Sequence, residues 1–523
     1  MNTFFKYTFI LVLGVLLFNC TKNFDEINTN PNTVTEVDPS LLLPKMQYAV
    51  INSNAYEYQR GENLFSNQYC QWVSNSASYF NSDRYEYNSG WVTDAYWTPY
   101  YTYVLKDLLD IKDMAEKYPK YQQMYQIARI VAAIGAARTT DLFGDVPYSE
   151  ASRGLDKPKY DAQKDIYYDI LNELKEATDA LKTGFSEDQV GYGNQDLYFN
   201  GDVSKWIKLG NSLRLRYALR ISFVDPDKAK QEGESALAET MMESTDDNAY
   251  TITALSDDGH PLFVISNWSE FRMSSTFENA YKTLSTVVDP RMEFYWGVTV
   301  QSVADGAPEI KGIRNGIPSD QLPSPDLSSS CWGLLWAPTW NSANVLPSTF
   351  TIEAPLYIMC YSEVCFLKAE AAIRGWNKSG SAQTDYEDGI RASFTEARLN
   401  VATNLYSTAN DETYIKTGSV MWDEGASFET KLEKIATQKW ISLFPNGTEG
   451  WAEVRRTGYP KLQPIVRSDA PSINAANGEF IKKLRYIDLE LDVNSENANS
   501  QSLNGGQGDG LNVRVWWDTG RYN

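Results

Sequence analysis

The segment Trp206-Ile-Lys-Leu-Gly-Asn-Ser-Leu-Arg-Leu-Arg-Tyr-Ala-Leu-Arg-Ile221 decides the fold class. Trp206, Leu209, Leu213, Tyr217 and Arg220/Ile221 recur at the three- and four-residue intervals that place side chains on one face of an α-helix. The same interval recurs outward along the chain. Val104, Leu108, Ile111 and Ala115 form one stripe, and Ile166, Ile170, Leu174, Ala177 and Leu181 form another. Ala128, Ala132, Gly135 and Ala136 supply a small-residue face that lets helices approach closely. Tyr357 to Ile373 is apolar almost all round, with charges at Glu363, Lys368 and Glu370, which predicts a central buried helix.

The pattern predicts a mostly α protein. Trp206, Leu209 and Gly210 match the W-x2-L-G opening of a tetratricopeptide repeat. A second candidate hairpin pairs Tyr361–Gly375 with Asp385–Ala397, broken at Lys378-Ser379-Gly380. Tetratricopeptide-like helical hairpins therefore form a scaffold over about 41–245 and 351–460. The segment 246–350 differs. Its Pro, Gly, Ser and Trp residues and lack of long stripes read as a loop-rich insertion, the kind of segment that carries function. Residues 461–523 read as an irregular C-terminal segment of the same domain, 41–523.

Composition removes whole classes of function. The 523 residues hold 68 acidic against 47 basic side chains, a net charge of −21, which argues against a nucleic-acid binder. A single histidine leaves little for histidine-based metal sites and one possible catalytic triad. His260 lies in Asp257-Asp258-Gly259-His260-Pro261 and reads as a surface turn rather than a triad base. Gly210-Asn211-Ser212-Leu213-Arg214 lacks the closing glycine of a nucleophile elbow, and Gly191-Tyr192-Gly193 lacks the third glycine of a dinucleotide loop. The run Asn504-Gly-Gly-Gln-Gly-Asp-Gly510 lacks the spaced acids of a calcium loop and reads as a flexible loop. No cofactor, no metal and no catalytic residue are expected. Paired carboxylates are the one chemistry that composition leaves open, so a secreted glycosidase stands as an alternative.

The N-terminus is a processing segment. Phe9 to Phe18 is an apolar run too short to span a bilayer and fits a secretory h-region over residues 1–19. Cys20 directly after it resembles the lipidated residue of a bacterial lipoprotein, although Asn19 stands where a small residue is usual. Residues 20–40, rich in Asn and Thr, read as a lipidated tether. Membrane contact is then through the lipid alone. Cys360 and Cys365, five apart on a helix, read as small core hydrophobes.

Aromatics make up 13% of the chain, and most must hold helices together. Two regions mix rings with small polar residues, a combination that suits a glycan's apolar face and hydroxyl rim, or a peptide. The first runs from Trp72 to Trp91 and offers Trp72, Tyr79, Asn81, Arg84, Tyr85 and Trp91. The second offers Trp268, Arg272, Trp296, Trp332 and Trp336. These are the candidate ligand-binding residues.

Lys434-Ile-Ala-Thr-Gln-Lys-Trp-Ile-Ser-Leu-Phe444, followed by Asn446-Gly-Thr-Glu-Gly-Trp451-Ala-Glu-Val-Arg455-Arg456-Thr-Gly-Tyr-Pro460, resembles the SusD/RagB family of outer-membrane lipoproteins. Asp141-Leu-Phe-Gly-Asp-Val-Pro-Tyr148, Asp289-Pro-Arg291, Glu363 through Trp376 and Val515-Trp-Trp-Asp518 extend the resemblance over nearly the whole mature chain. One departure is Leu484-Arg-Tyr486-Ile487, where the family has Tyr-Pro. The resemblance implies a helical, tetratricopeptide-like fold and a cell-surface location on the outer membrane. It implies a SusC-like TonB-dependent transporter as partner, and a non-catalytic role capturing a glycan or, in some members, a peptide. Its motifs carry no ligand contacts, so Trp451, Arg455 and Arg456 are expected to be structural.

Overall fold

The apolar stripes fold as helices in the computed structural model, which describes residues 38–522 apart from 52–53, 187, 253–259 and 336–353. The signal segment, most of the tether, Cys20 and Trp336 lie outside the described residues. Helices α1 (Lys106–Lys117), α2 (Gln122–Phe143), α3 (Gln163–Thr183), α4 (Val203–Arg220) and α5 (Pro226–Leu237) follow one another, each packed on the next. This is the tetratricopeptide-like half of the scaffold. Asp202 and Asp225 cap α4 and α5, their carboxylates accepting backbone N–H groups of the first turn.

The repeat-like glycine has a packing reason. A Cβ at Gly210 on α4 would lie 2.3 Å from Cγ2 of Thr178 on α3. Gly450 answers to the same rule in the C-terminal half: a Cβ there would lie 2.3 Å from the Trp72 ring.

The second half pairs α6 (Tyr361–Ile373) with α7 (Ala382–Ala397), and α8 (Phe428–Ser442) packs on α6 and on α9 (Gly447–Thr457). Where α4, α6, α8 and α9 meet, the core is ionic. Arg216 pairs with Glu363, Lys439 lies 3.7 Å from Glu363 and 3.1 Å from Glu453, and Arg456 joins Glu453 at 2.7 Å to Glu370 at 2.6 Å. All of these side chains are buried. Burial pushes the Glu453 carboxyl up, but Arg456 and Lys439 together pull it well below the usual carboxylate range. A buried charge is tolerated only with such partners. Arg455 lies over the Trp451 and Trp517 rings and donates to the Asp141 carbonyl at 2.8 Å. The family-like motif residues are thus scaffold.

Among the described residues, six short strands form two-stranded antiparallel ribbons: β1 (Val73–Asn75) with β5 (Phe271–Met273), β2 (Val146–Pro147) with β3 (Tyr160–Asp161), and β4 (Ala249–Ile252) with β6 (Pro355–Met359). The β1–β5 ribbon, in register Ser74 opposite Arg272, ties the segment after residue 246 into the N-terminal half. The C-terminal segment is irregular and closes over α2: Leu484 N–H donates to the Leu142 carbonyl at 2.7 Å and Trp517 Nε1 to Asp141 at 2.7 Å. The glycine-rich run is docked rather than loose. Asn504 accepts from Asp145 N–H at 3.0 Å, and Asp509 pairs with buried Lys483.

Candidate functional site

The β1–β5 ribbon brings the two aromatic regions of the sequence side by side. Ser76 N–H donates to the Glu270 carbonyl at 3.0 Å and Ser76 Oγ to the Ser269 carbonyl at 2.9 Å. Residues just past β1 therefore lie beside residues just before β5. Tyr79, with 67% of its surface exposed, packs its ring 4.8 Å from Phe80, and Phe80 lies 5.6 Å from Trp91. From the other side, Trp268 lies 5.3 Å from Tyr56, itself 61% exposed. Tyr56 stands on the helical turn Ala55–Tyr58, and Gln59 follows it.

Glu270 joins the two ring groups. Its carboxylate accepts from Tyr79 Oη at 2.6 Å and from the Gln59 side-chain amide. The hydrogen bond to Glu270, with some burial, pushes the Tyr79 phenol up to about 12, so it stays a donor. Trp91 is held by the cap of its own turn, where Asn88 accepts its backbone N–H at 3.1 Å. Asn81, half-buried, donates to Glu86 at 2.6 Å at the edge of this surface. A surface of exposed and half-buried rings that carries a carboxylate can stack on the flat face of a sugar and accept from its hydroxyls.

The structure removes the other candidate residues from ligand contact. Trp72 is completely buried against Trp440, Phe277 and Phe444. Trp296 packs in the same aromatic core, and Trp332 is also buried. Tyr85 is buried against Tyr69 at a left-handed backbone position. Arg84 is spent on Asp469 at 2.7 Å and the Ile317 carbonyl at 3.2 Å. Arg272 donates to the carbonyls of Pro325 and Phe271, and burial lowers its guanidinium to about 10. His260 is not a surface residue: it is fully buried, its Nδ1 accepts from Leu262 N–H at 3.1 Å, and burial lowers it to about 3. Sequence reading missed Tyr56, Gln59 and Glu270. Nothing in Tyr56-Glu57-Tyr58 tells the exposed tyrosine from the buried one.

A separate cleft of about 430 Å³ lies against α1, α2 and α3, lined in part by Tyr100, Tyr125, Tyr148 and Arg129. Its polar groups are already matched, with Tyr148 donating to Asp169 at 2.7 Å and Arg129 to Glu173 at 2.7 Å. The ring surface beside Glu270 is the better candidate because Tyr56 and Tyr79 are exposed there and Trp268, Phe80 and Trp91 are half-buried beneath them. Among the described residues, no group of three or more His, Cys, Asp or Glu side chains is placed to hold a metal ion. The described cysteines 70, 331, 360 and 365 are buried and free, and burial raises their thiols. No helix among the described residues is long and apolar enough to cross a membrane.

Comparison with known proteins agrees over the whole fold. The profile described as "SusD-like: Susd and RagB outer membrane lipoprotein" matches residues 21–518. A chitin-binding SusD homolog from Flavobacterium johnsoniae is 29% identical, with a TM-score of 0.75 over 92% of this chain and 98% of its own. A SusD homolog from Bacteroides vulgatus is 28% identical, with a TM-score of 0.76 over 93% of this chain and 98% of its own. A SusD-like protein from Bacteroides thetaiotaomicron is 26% identical, with a TM-score of 0.74 over 92% and 99%. A search of curated protein sequences returns no match.

Proposed function

The chain belongs to the SusD-like family of outer-membrane lipoproteins, and from that premise we propose that it captures an oligo- or polysaccharide at the cell surface without cleaving it. Anchored by a lipid on Cys20, it hands the ligand to a SusC-like TonB-dependent transporter. The observation that carries this reading is the pair of exposed tyrosines, Tyr56 and Tyr79, backed by the half-buried rings of Trp268, Phe80 and Trp91, with Glu270 held by Tyr79 and Gln59. Sugars stack on these rings, and Glu270 and Asn81 meet their hydroxyls. The chitin-binding relative makes oligomers of N-acetylglucosamine the first ligands to try.

Isothermal titration of the mature protein with a panel of oligosaccharides and peptides tests the reading. Trp268→Ala and Tyr79→Ala should each weaken the best glycan about tenfold, the scale of one lost ring contact, with an unchanged melting temperature. Two results overturn it: the double variant binds the glycan as wild type does, or the protein turns a glycan over and a single Glu or Asp change abolishes that turnover. Binding of peptides alone would move the protein to the peptide-capturing branch.

A further inference from the structure

We propose that Glu270 sets which glycans the ring surface accepts, favouring amino sugars that carry an ammonium group and rejecting uronic acids. This rests on the capture reading above and adds the class of ligand. A surface that only stacks is indifferent to charge. This one is not neutral. Glu270 stands two residues past Trp268, and its carboxylate is fixed in place by Tyr79 and by the largely buried Gln59, three residues past Tyr56. An ionised carboxylate offers about four acceptor positions. Tyr79 and Gln59 occupy one on each oxygen, which leaves the others for a ligand. Glu57, exposed beside Tyr56, and Asp94, three residues past Trp91, add acid at the rim. These two acids sense each other, since burial and then Asp94 raise the Glu57 carboxyl. The basic group nearest to them, Arg60, is already paired with Asp94 at 3.2 Å.

The resulting field is negative where the sugar must sit. An ammonium on the ligand gains by approach, whereas a ligand carboxylate meets like charge. A neutral N-acetyl sugar keeps the stacking and one hydrogen bond from its hydroxyl or amide to Glu270.

The test uses the mature protein and three oligomers of equal length: N-acetylglucosamine, its fully deacetylated form with amines protonated, and galacturonic acid. Wild type should bind the deacetylated oligomer about fivefold to tenfold tighter than the acetylated one, the scale of one partly screened ion pair. High salt should erase most of that gap, and the galacturonate should not bind measurably. Glu270→Gln should lose the gap by weakening the deacetylated oligomer more than the acetylated one. Tyr79→Phe, which keeps the ring, checks that a loose Glu270 also narrows the gap. If Glu270→Gln keeps the preference, or galacturonate binds as well as the acetylated oligomer while Trp268→Ala still weakens binding, the inference fails alone. If no oligomer binds, or Trp268→Ala leaves binding intact, the capture reading fails and the inference with it.

Discussion

Replacing Gly210 with alanine probes the packing that joins the helices of the scaffold. The added Cβ would lie 2.3 Å from Cγ2 of Thr178 and 3.4 Å from Cδ1 of Ile130. Carbon atoms pack comfortably at about 3.5–4.0 Å. The Ile130 contact is bearable; the Thr178 contact is not. Thr178 has little freedom to swing, because its Oγ1 donates to the Leu174 carbonyl at 2.8 Å and it is branched at Cβ. Relief therefore requires α3 and α4 to part by about 1 Å, and overpacking of this kind costs about 1–3 kcal/mol. Alanine returns about 1 kcal/mol of helix propensity over glycine. A 2.3 Å contact belongs at the upper end of that cost, so the expected balance is a net loss of about 2 kcal/mol, read as a lower urea midpoint by circular dichroism. Thr178→Ser removes Cγ2 and keeps the hydroxyl. In that background Gly210→Ala should become neutral or mildly stabilising. A Gly210→Ala protein as stable as wild type, or an equal loss in both backgrounds, would refute the packing argument.

Three further perturbations address the core. Lys439→Met leaves Glu363 and Glu453 short of a partner in a buried network and should cost about 3–5 kcal/mol; an unchanged melting temperature would show that the arginines alone suffice. Burial raises Glu396 to about 7 despite hydrogen bonds from Ser362 and Asn248. A raised carboxyl favours the folded state below its unfolded value, and that contribution fades as pH climbs through about 7, on the order of 3 kcal/mol in total. Glu396→Gln should therefore flatten stability between pH 4.5 and 8 relative to wild type; parallel pH curves would contradict this. Trp72→Ala should lower stability by about 3–5 kcal/mol, whereas Trp268→Ala, on the half-exposed surface, should leave the melting temperature in place. Equal thermal losses in the two variants would mean that Trp268 is also core.

The helical scaffold was legible because burial repeats with the period of the helix. Ile166, Ile170, Leu174, Ala177 and Leu181 are all buried on α3, as their spacing implies, whereas α4 is buried on every side from Leu209 to Arg220. The candidate ligand surface was legible only in part. Trp72 and Tyr79 are seven residues apart in one Ser- and Asn-rich stretch, yet one is fully buried and the other mostly exposed. The small polar residues that made the stretch look like surface are consumed internally. Ser74 donates to Asp83 at 3.1 Å, Asn75 to the Ala77 carbonyl at 2.8 Å, and Ser76 to the Ser269 carbonyl. Which way each ring points is set by pairing β1 with β5, nearly 200 positions along the chain. Local composition carries no record of that pairing. The ionic core was hidden for the same reason: Glu363 and Glu370 interrupt an apolar helix, but apart from Arg374, four residues past Glu370, their partners come from α4, α8 and α9.

The account stands most directly on where a sugar sits. A crystal structure of the mature protein soaked with an N-acetylglucosamine oligomer should show a sugar ring against Trp268 and Tyr56 or against Tyr79, with a hydroxyl or amide on the Glu270 carboxylate. Sugar density confined to another face, such as the cleft lined by Tyr148 and Arg129, with the rings around Glu270 left bare, would contradict it.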